Sequence, residues 1–162
     1  MNFVVIGTDH RMQSSEPGFE GLLRALLGRQ YFAPLDAVAE EYHDKLGPSL
    51  GQRLAQEHGL RWYNLDMTTE EKSNAGILEE QRSRPISQDS LAYRVPSDEI
   101  REAAWVEKLL NSGAQTQTAL VICGYVHFDS LVKRLRAGGH LVDARVYLET
   151  VPEIRPLRRP DS

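Results

Sequence analysis

The chain has 162 residues, of which 41% are hydrophobic and 26% are charged. This length suits a single domain, and the composition is too apolar for an intrinsically disordered protein. The net charge is −4, whereas a protein that grips the phosphates of nucleic acid needs a concentrated basic surface. We therefore expect no nucleic-acid partner.

The cysteine content and the amino terminus indicate the cellular compartment of the protein. Cys123 is the only cysteine, so neither an internal disulfide nor a thiolate cluster for zinc can form. The amino terminus, MNFVVIGTDH, has no basic segment before its short apolar run, so it is interpreted as a first strand and not as a signal peptide. No run reaches the roughly 18 apolar residues of a membrane span. These features predict a cytoplasmic protein with no membrane partner.

Short apolar runs alternate with amphipathic stretches, which is typical of an α/β domain. Five of the runs are predicted strands, at residues 2–6, 36–41, 60–66, 119–123 and 141–148. With helices between them, they predict a three-layer sandwich around a mostly parallel central sheet of about five strands. Residues 1–150 would form this single domain.

Four helices are predicted from apolar stripes and from the glycines that follow them, at residues 17–27, 46–58, 98–110 and 128–136. The polar segment 68–94 is expected to form a solvated helix and a loop that covers a ligand crevice. The tail, residues 151–162, is rich in proline and arginine and is expected to be flexible.

Two matching motifs follow predicted strands. GTDH at residues 7–10 follows the first strand, and GYVH at residues 124–127 follows the fourth. Open parallel sheets bind ligands beyond the carboxyl ends of their strands, so His10 and His127 should converge if those strands are neighbours. Gly7 and Gly124 suit sharp turns and the close approach of a ligand or cofactor. A dinucleotide-binding loop is not indicated, because the first motif lacks the second and third glycines of GxGxxG.

Three further charged positions could join the two histidines. Glu40 and Glu41 end the second predicted strand, where only one of them can face a given site, and the sequence does not determine which. His43 follows shortly afterwards. Arg101 lies in the first turn of a helix, where a cation opposes the helix dipole, so an anionic ligand or an ordinary ion pair explains it equally well. Cys123 is interpreted as a buried apolar residue more readily than as a nucleophile.

The four motifs, in this order, resemble those of the TraB/TIKI superfamily, which also includes the erythromycin-esterase and ChaN-like proteins. The family pattern is a first strand ending in GTxH, a glutamate at a later strand end, an arginine that opens a helix, and a second GxxH before the last helix. The chain departs from it by its short length and by Asp9 beside the first histidine. The resemblance implies a divalent-metal hydrolase, or a haem- or ligand-binding relative, on an α/β scaffold.

The leading hypothesis is a metal-dependent hydrolase of peptidase or esterase type. Imidazole and carboxylate ligands suit zinc, manganese, iron or cobalt, and here they would be His10 and His127 with Glu40 or Glu41. The metal would activate a water molecule for attack on a small-molecule or peptide substrate.

The remaining residues would assist that reaction. Asp9 or the second glutamate would accept the proton of the water, and Arg101 would stabilise the oxyanion or anchor an anionic substrate. The alternative is a non-catalytic protein that binds a small anion, a nucleotide or haem in the same crevice. An interaction module with incidental histidines is a third hypothesis. The sequence does not determine the oligomeric state and leaves a homodimer open.

Overall fold

The computed structural model describes residues 1–28, 34–42, 47–77, 91–111, 117–149 and 153–156. The strands within these ranges are β1 (Asn2–Thr8), β2 (Ala37–Glu40), β3 (Arg61–Asn64), β4 (Leu91–Arg94), β5 (Thr118–Gly124), β6 (Leu141–Tyr147) and β7 (Glu153–Pro156). The helices are α1 (Met12–Ser15), α2 (Pro17–Leu27), α3 (Leu50–Glu57), α4 (Thr69–Asn74), α5 (Ser97–Asn111) and α6 (Tyr125–Ala137).

The central sheet has five strands in the order β3-β2-β5-β1-β6, and every neighbouring pair is parallel. All five predicted strands belong to this sheet, with ends that differ from the predicted ones by two residues or fewer. The predicted α/β class with a parallel central sheet is therefore confirmed. β5 lies between β1 and β2, so the carboxyl ends of these three strands are adjacent.

The two faces of the sheet carry separate hydrophobic clusters, because alternate side chains of a strand point to opposite faces. Phe3 and Val5 of β1 belong to a cluster that also contains residues of α5 and α6. Val4 and Ile6 belong to a second cluster that contains residues of α2 and α3. β1, β2 and β5 are buried throughout, which is why their sequences are almost continuously apolar.

The helix ends are set by local capping. α2 begins at Pro17 as predicted, because the Glu16 carboxylate accepts hydrogen bonds from the first-turn amides. α3 begins at Leu50, since Ser49 caps it and Gly47 has a φ of 78°. The predicted start at residue 46 lies outside the described residues. α6 begins at Tyr125, three residues before the predicted start, directly after β5.

A small second sheet was not predicted. β4 and β7 pair in parallel, so residues Glu153–Pro156 have regular structure where the sequence indicated a flexible tail. The predicted helix of the polar segment corresponds to α4, which has a reciprocal capping box between Thr68 and Glu71. Residues 91–94 of the predicted cover form β4, and residues 78–90 lie outside the described residues, as does His43. None of the helices within the described ranges has the length and apolar character needed to span a bilayer.

Candidate functional site at the carboxyl edge of the sheet

The two motif histidines meet at one carboxylate. Nε2 of His10 and Nε2 of His127 each lie 3.6 Å from Oε1 of Glu41. His10 lies in the turn after β1, Glu41 directly follows β2, and His127 is in the first turn of α6. The two motifs therefore differ in local structure, although both place a histidine at the same edge. Their convergence follows from the position of β5 between β1 and β2.

Glu41, and not Glu40, is the glutamate that faces the histidines. Its Oε2 accepts a hydrogen bond from the amide of Gly124 at 2.8 Å, and 4% of its side chain is exposed. Glu40 points to the opposite face, where it accepts hydrogen bonds from Ser49 and from Trp62 Nε1, the latter at 3.1 Å. Strand alternation thus removes Glu40 from the site for which it was a candidate.

Each imidazole is oriented through its other ring nitrogen. Nδ1 of His10 lies 2.7 Å from Oε1 of Gln13, whose amide nitrogen donates to the backbone carbonyl of Glu41 at 3.2 Å. Nδ1 of His127 lies 3.0 Å from Oε1 of Glu102. Oxygen acceptors at both Nδ1 atoms leave both Nε2 atoms turned toward Glu41. His127 is buried, whereas 47% of the His10 side chain is exposed, so His10 lies at the mouth of the crevice.

Arg101 joins the cluster from α5. Its Nη2 donates to Glu41 Oε1 at 2.6 Å and to Asp66 Oδ1 at 2.9 Å. Its Nη1 lies 3.2 Å from His127 Nε2, and its guanidinium stacks 5.1 Å from the ring of Trp105. The anionic partners of this arginine are therefore carboxylates of the chain itself.

The charges of the cluster shift the protonation of its members. Burial raises the pKa of Glu41, but His127, His10 and Arg101 together hold it well below its ordinary value. Partial burial lowers the pKa of His10, and the neighbouring Glu41 carboxylate outweighs this effect and raises the pKa to about 9. Burial raises the pKa of Glu40, on the other face, to about 7. At neutral pH, Glu41 is ionised and His10 is protonated.

The two motif glycines make room for neighbours. A Cβ at Gly124 would lie 2.9 Å from His10 Nε2 and 3.2 Å from Glu41 Oε2. Gly124 has a φ of −59°, which any residue can adopt, so the absence of a Cβ matters here and not the sharp turn that was predicted. A Cβ at Gly7 would lie 2.7 Å from Cγ of Phe128. Gly7 is therefore a packing position under α6, and its role in cofactor binding stays a prediction.

Asp9, predicted to accept a proton, is instead bound to Arg11, with its Oδ2 2.7 Å from Nη2 of that residue. Other site residues were missed by the sequence analysis. Asp66 follows β3 at the same carboxyl edge, so the rule that selected His10 could have found it. The position of Glu102 beside Arg101, on the buried face of α5, was a weaker signal.

The predicted metal site would use two imidazole nitrogens and one carboxylate oxygen as donor atoms. His10 Nε2, His127 Nε2 and Glu41 Oε1 are suitable in type, and a carboxylate behind a metal-binding histidine is common. However, Arg101 already donates to Glu41 Oε1 and contacts His127 Nε2. Within the described residues, no group of three or more histidine, cysteine, aspartate or glutamate side chains is placed to hold a metal ion. With Arg101 in place, these residues do not fit a metal.

No protein-family model, curated protein or solved structure matches the chain. The resemblance to the TraB/TIKI superfamily therefore stays a prediction that is based on the four motifs alone.

Proposed function

We propose that the chain is a hydrolase whose reaction takes place beside His10, Glu41, Arg101 and His127. The observation that carries this proposal is the convergence of both Nε2 atoms on one oxygen of Glu41, at 3.6 Å each. Each ring is also held by an acceptor at Nδ1. Oriented imidazoles beside a buried carboxylate, with shifted pKa values, are typical of acid–base sites.

The arrangement favours a hydrolase that works without a metal ion. A metal bound by His127 and Glu41 would have to displace Arg101, which would break the buried ion pair between its guanidinium and Glu41 at 2.6 Å. Breaking a buried ion pair by removing one partner typically costs about 3–5 kcal/mol. The metal-dependent form of the reaction is therefore the less favoured version of the proposal.

His10 would be the proton donor of this reaction. Its raised pKa keeps the ring protonated at pH 7, and 3.6 Å is beyond normal hydrogen-bond length, so Nε2–H is free to turn to a substrate at the exposed mouth. Water would add to a carbonyl carbon and the bond to the leaving group would break. The leaving group would take the proton of His10, and the proton released by the water would restore it.

Two acetate esters with different leaving groups test this role. Phenyl acetate expels a more basic anion than p-nitrophenyl acetate does, so its hydrolysis depends more on a proton donor. We expect His10→Gln to lower hydrolysis of phenyl acetate by about 100-fold or more, and that of p-nitrophenyl acetate by less. His58→Gln, at an exposed histidine outside the crevice, is the matched control and should leave both rates unchanged. Equal rates for wild type and His10→Gln on both esters would contradict the proposal.

Ligand binding without turnover is the second candidate, and the low exposure of the inner residues favours it. Only 4% of the Glu41 side chain, 6% of the Arg101 side chain and 2% of the His127 side chain is exposed. Of the four site residues, His10 is therefore the one that a ligand reaches directly. Thermal unfolding with added haemin, ATP or inorganic phosphate tests it. A rise in Tm that His10→Gln abolishes, without hydrolysis of either ester, would select this candidate over the hydrolase.

A further inference from the structure

Glu102 is the most heavily hydrogen-bonded carboxylate behind the site. It follows Arg101 on α5, is fully buried, and receives donors from two other elements, β4 and α6. Nη1 and Nη2 of Arg94 lie 2.8 and 3.1 Å from its two oxygens, and the Ser130 hydroxyl donates to Oε2 at 2.5 Å. Nε of Arg134 forms a longer ion pair at 3.5 Å. These contacts fix the carboxylate in place before any ligand arrives.

The remaining contact of Glu102 is with the ring of His127. Its Oε1 lies 3.0 Å from Nδ1 of that imidazole, so the ring proton belongs on Nδ1, where an ionised carboxylate accepts it. In the neutral form of the ring the lone pair lies on Nε2, where Nη1 of Arg101 can donate to it at 3.2 Å. Trp105 meets the ring at its edge, with centroids 4.7 Å apart, and restrains the plane of the imidazole.

We propose that Glu102 is a positioning residue for His127, which holds the neutral imidazole in the Nδ1–H tautomer with Nε2 turned toward Arg101 and Glu41. The role rests on the proposed function, since it concerns the same site. Carboxylates behind catalytic or metal-binding histidines set the tautomer in this way, and their loss typically lowers activity about 10- to 100-fold.

Glu102 acts as a fixed charge and does not itself take up a proton. Burial raises its pKa, but the hydrogen bonds from His127, Arg94 and Ser130 outweigh that effect and lower the pKa to about 2. The carboxylate therefore stays ionised throughout the range in which a hydrolase works. The same donors explain how a buried charge is tolerated at this point of α5.

The test compares Glu102→Gln with Glu107→Gln, an exposed glutamate on the same helix. Ring ¹⁵N chemical shifts of His127, measured in the whole chain at a pH where the ring is neutral, distinguish the two tautomers without any substrate. In wild type and in Glu107→Gln we expect the Nδ1–H tautomer alone. In Glu102→Gln the amide can donate as well as accept, so we expect the Nε2–H tautomer to appear and ester hydrolysis to fall about 10- to 100-fold.

A wild-type ring in the Nε2–H tautomer would overturn the assignment, and this result needs no variant to fold. An unchanged tautomer in a folded Glu102→Gln would overturn it as well. The hydrolase proposal and the positioning role of Glu102 can be rejected independently of each other. Tautomers as expected, with no ester hydrolysis by the wild type, would reject the hydrolase alone. Hydrolysis that depends on His10, with no change of tautomer in Glu102→Gln, would reject the positioning role alone.

Discussion

Glu40 and Glu41 are neighbours in sequence and occupy opposite electrostatic environments. Glu41 lies among cations, and its pKa is well below the ordinary value, whereas Glu40 is buried against α3 with a pKa of about 7. A one-residue step along a strand reverses the face of a side chain, which is the physical origin of this difference. The sequence indicated that one of the two would face the site, but the choice depends on the pleat of β2 and could not be made from composition.

The environment of Glu40 makes stability depend on pH. The folded state holds the proton of Glu40 up to pH 7, whereas the unfolded chain releases it near 4.5, so stability falls as the pH rises through this window. Glu40→Gln removes the ionisation and can still accept hydrogen bonds from Ser49 and Trp62. We expect the variant to exceed the wild type by about 3 kcal/mol in free energy of unfolding at pH 8, with no difference near pH 4.

Urea unfolding at the two pH values measures this difference. Glu107→Gln, at an exposed glutamate, is the control and should change the free energy of unfolding by less than about 0.5 kcal/mol at either pH. A Glu40→Gln protein that is less stable than wild type at pH 8 would show that the carboxylate is paired and not merely buried.

Gly124 offers a second test at the residue scale, because its lack of a side chain lets His10 approach Glu41. An added Cβ would lie 2.9 Å from His10 Nε2, and the half-exposed ring can move outward to relieve the contact. We therefore expect Gly124→Ala to cost less than about 1.5 kcal/mol of stability, while the pKa of His10 falls toward 6.5 and hydrolysis of phenyl acetate falls with it.

The control for this change is Gly21→Ala on α2, where an added Cβ meets nothing within 4 Å. Alanine is the better helix former, so this variant should gain roughly 0.5–1 kcal/mol without changing the His10 titration. An unchanged His10 pKa in Gly124→Ala would mean that the two groups are not in contact.

At the scale of elements, the apolar runs predicted the five central strands closely. The apolar stripe of α2 and the glycine that follows it predicted that helix closely as well. These patterns did not predict β4 and β7, because each is four residues long and pairs only with the other across the chain. The prolines near β7 indicated a frayed tail, but a strand can end at proline, as β7 does at Pro156. α3 shows the same limit, since its start is set by the Ser49 cap and not by its apolar stripe.

The packing of α6 against β1 depends on Gly7. An added Cβ would lie 2.7–2.8 Å from three carbons of the Phe128 side chain, which is buried and has little room to shift. We expect Gly7→Ala to lower the free energy of unfolding by about 1–3 kcal/mol, measured by urea denaturation. A double-mutant cycle with Phe128→Ala should give a clear coupling energy, and additive effects would show that the strain lies elsewhere.

At the scale of the whole molecule, the order of the strands decides which residues meet. His10, Glu41 and His127 are far apart in sequence and converge because β5 lies between β1 and β2. The chain order of the motifs was visible in the sequence, but this sheet order was not. Gln13 and Glu102 were missed for this reason, since each is recognisable only once the residue that it contacts is known.

Arg101 links the strand ends to α5, so its removal tests the metal-free arrangement. We expect the Tm of the wild type to be unchanged by EDTA, because a guanidinium already pairs with Glu41. Arg101→Met should be destabilised by roughly 3–5 kcal/mol, since the buried Glu41 carboxylate loses its guanidinium partner. Added Co²⁺ should raise the Tm of this variant and not that of the wild type.

Arg24→Met, which breaks a surface ion pair with Glu57, is the control and should cost less than about 1 kcal/mol with no response to Co²⁺. A wild-type protein that loses stability on chelation would show that a metal, and not Arg101, is the cation of the site.

The contact between His10 and Glu41 joins the ends of two strands that are separated by β5, so the protonation of His10 tests the whole site most directly. A pH titration of the His10 ring by NMR, with the resonance assigned by His10→Gln, requires no substrate and no other variant. A pKa raised to about 9 means that His10 adds stability below pH 6.5 and that this contribution is lost as the pH rises through 9. We expect a His10 midpoint near pH 9, and a midpoint near 6.5 would contradict the contact between His10 and Glu41.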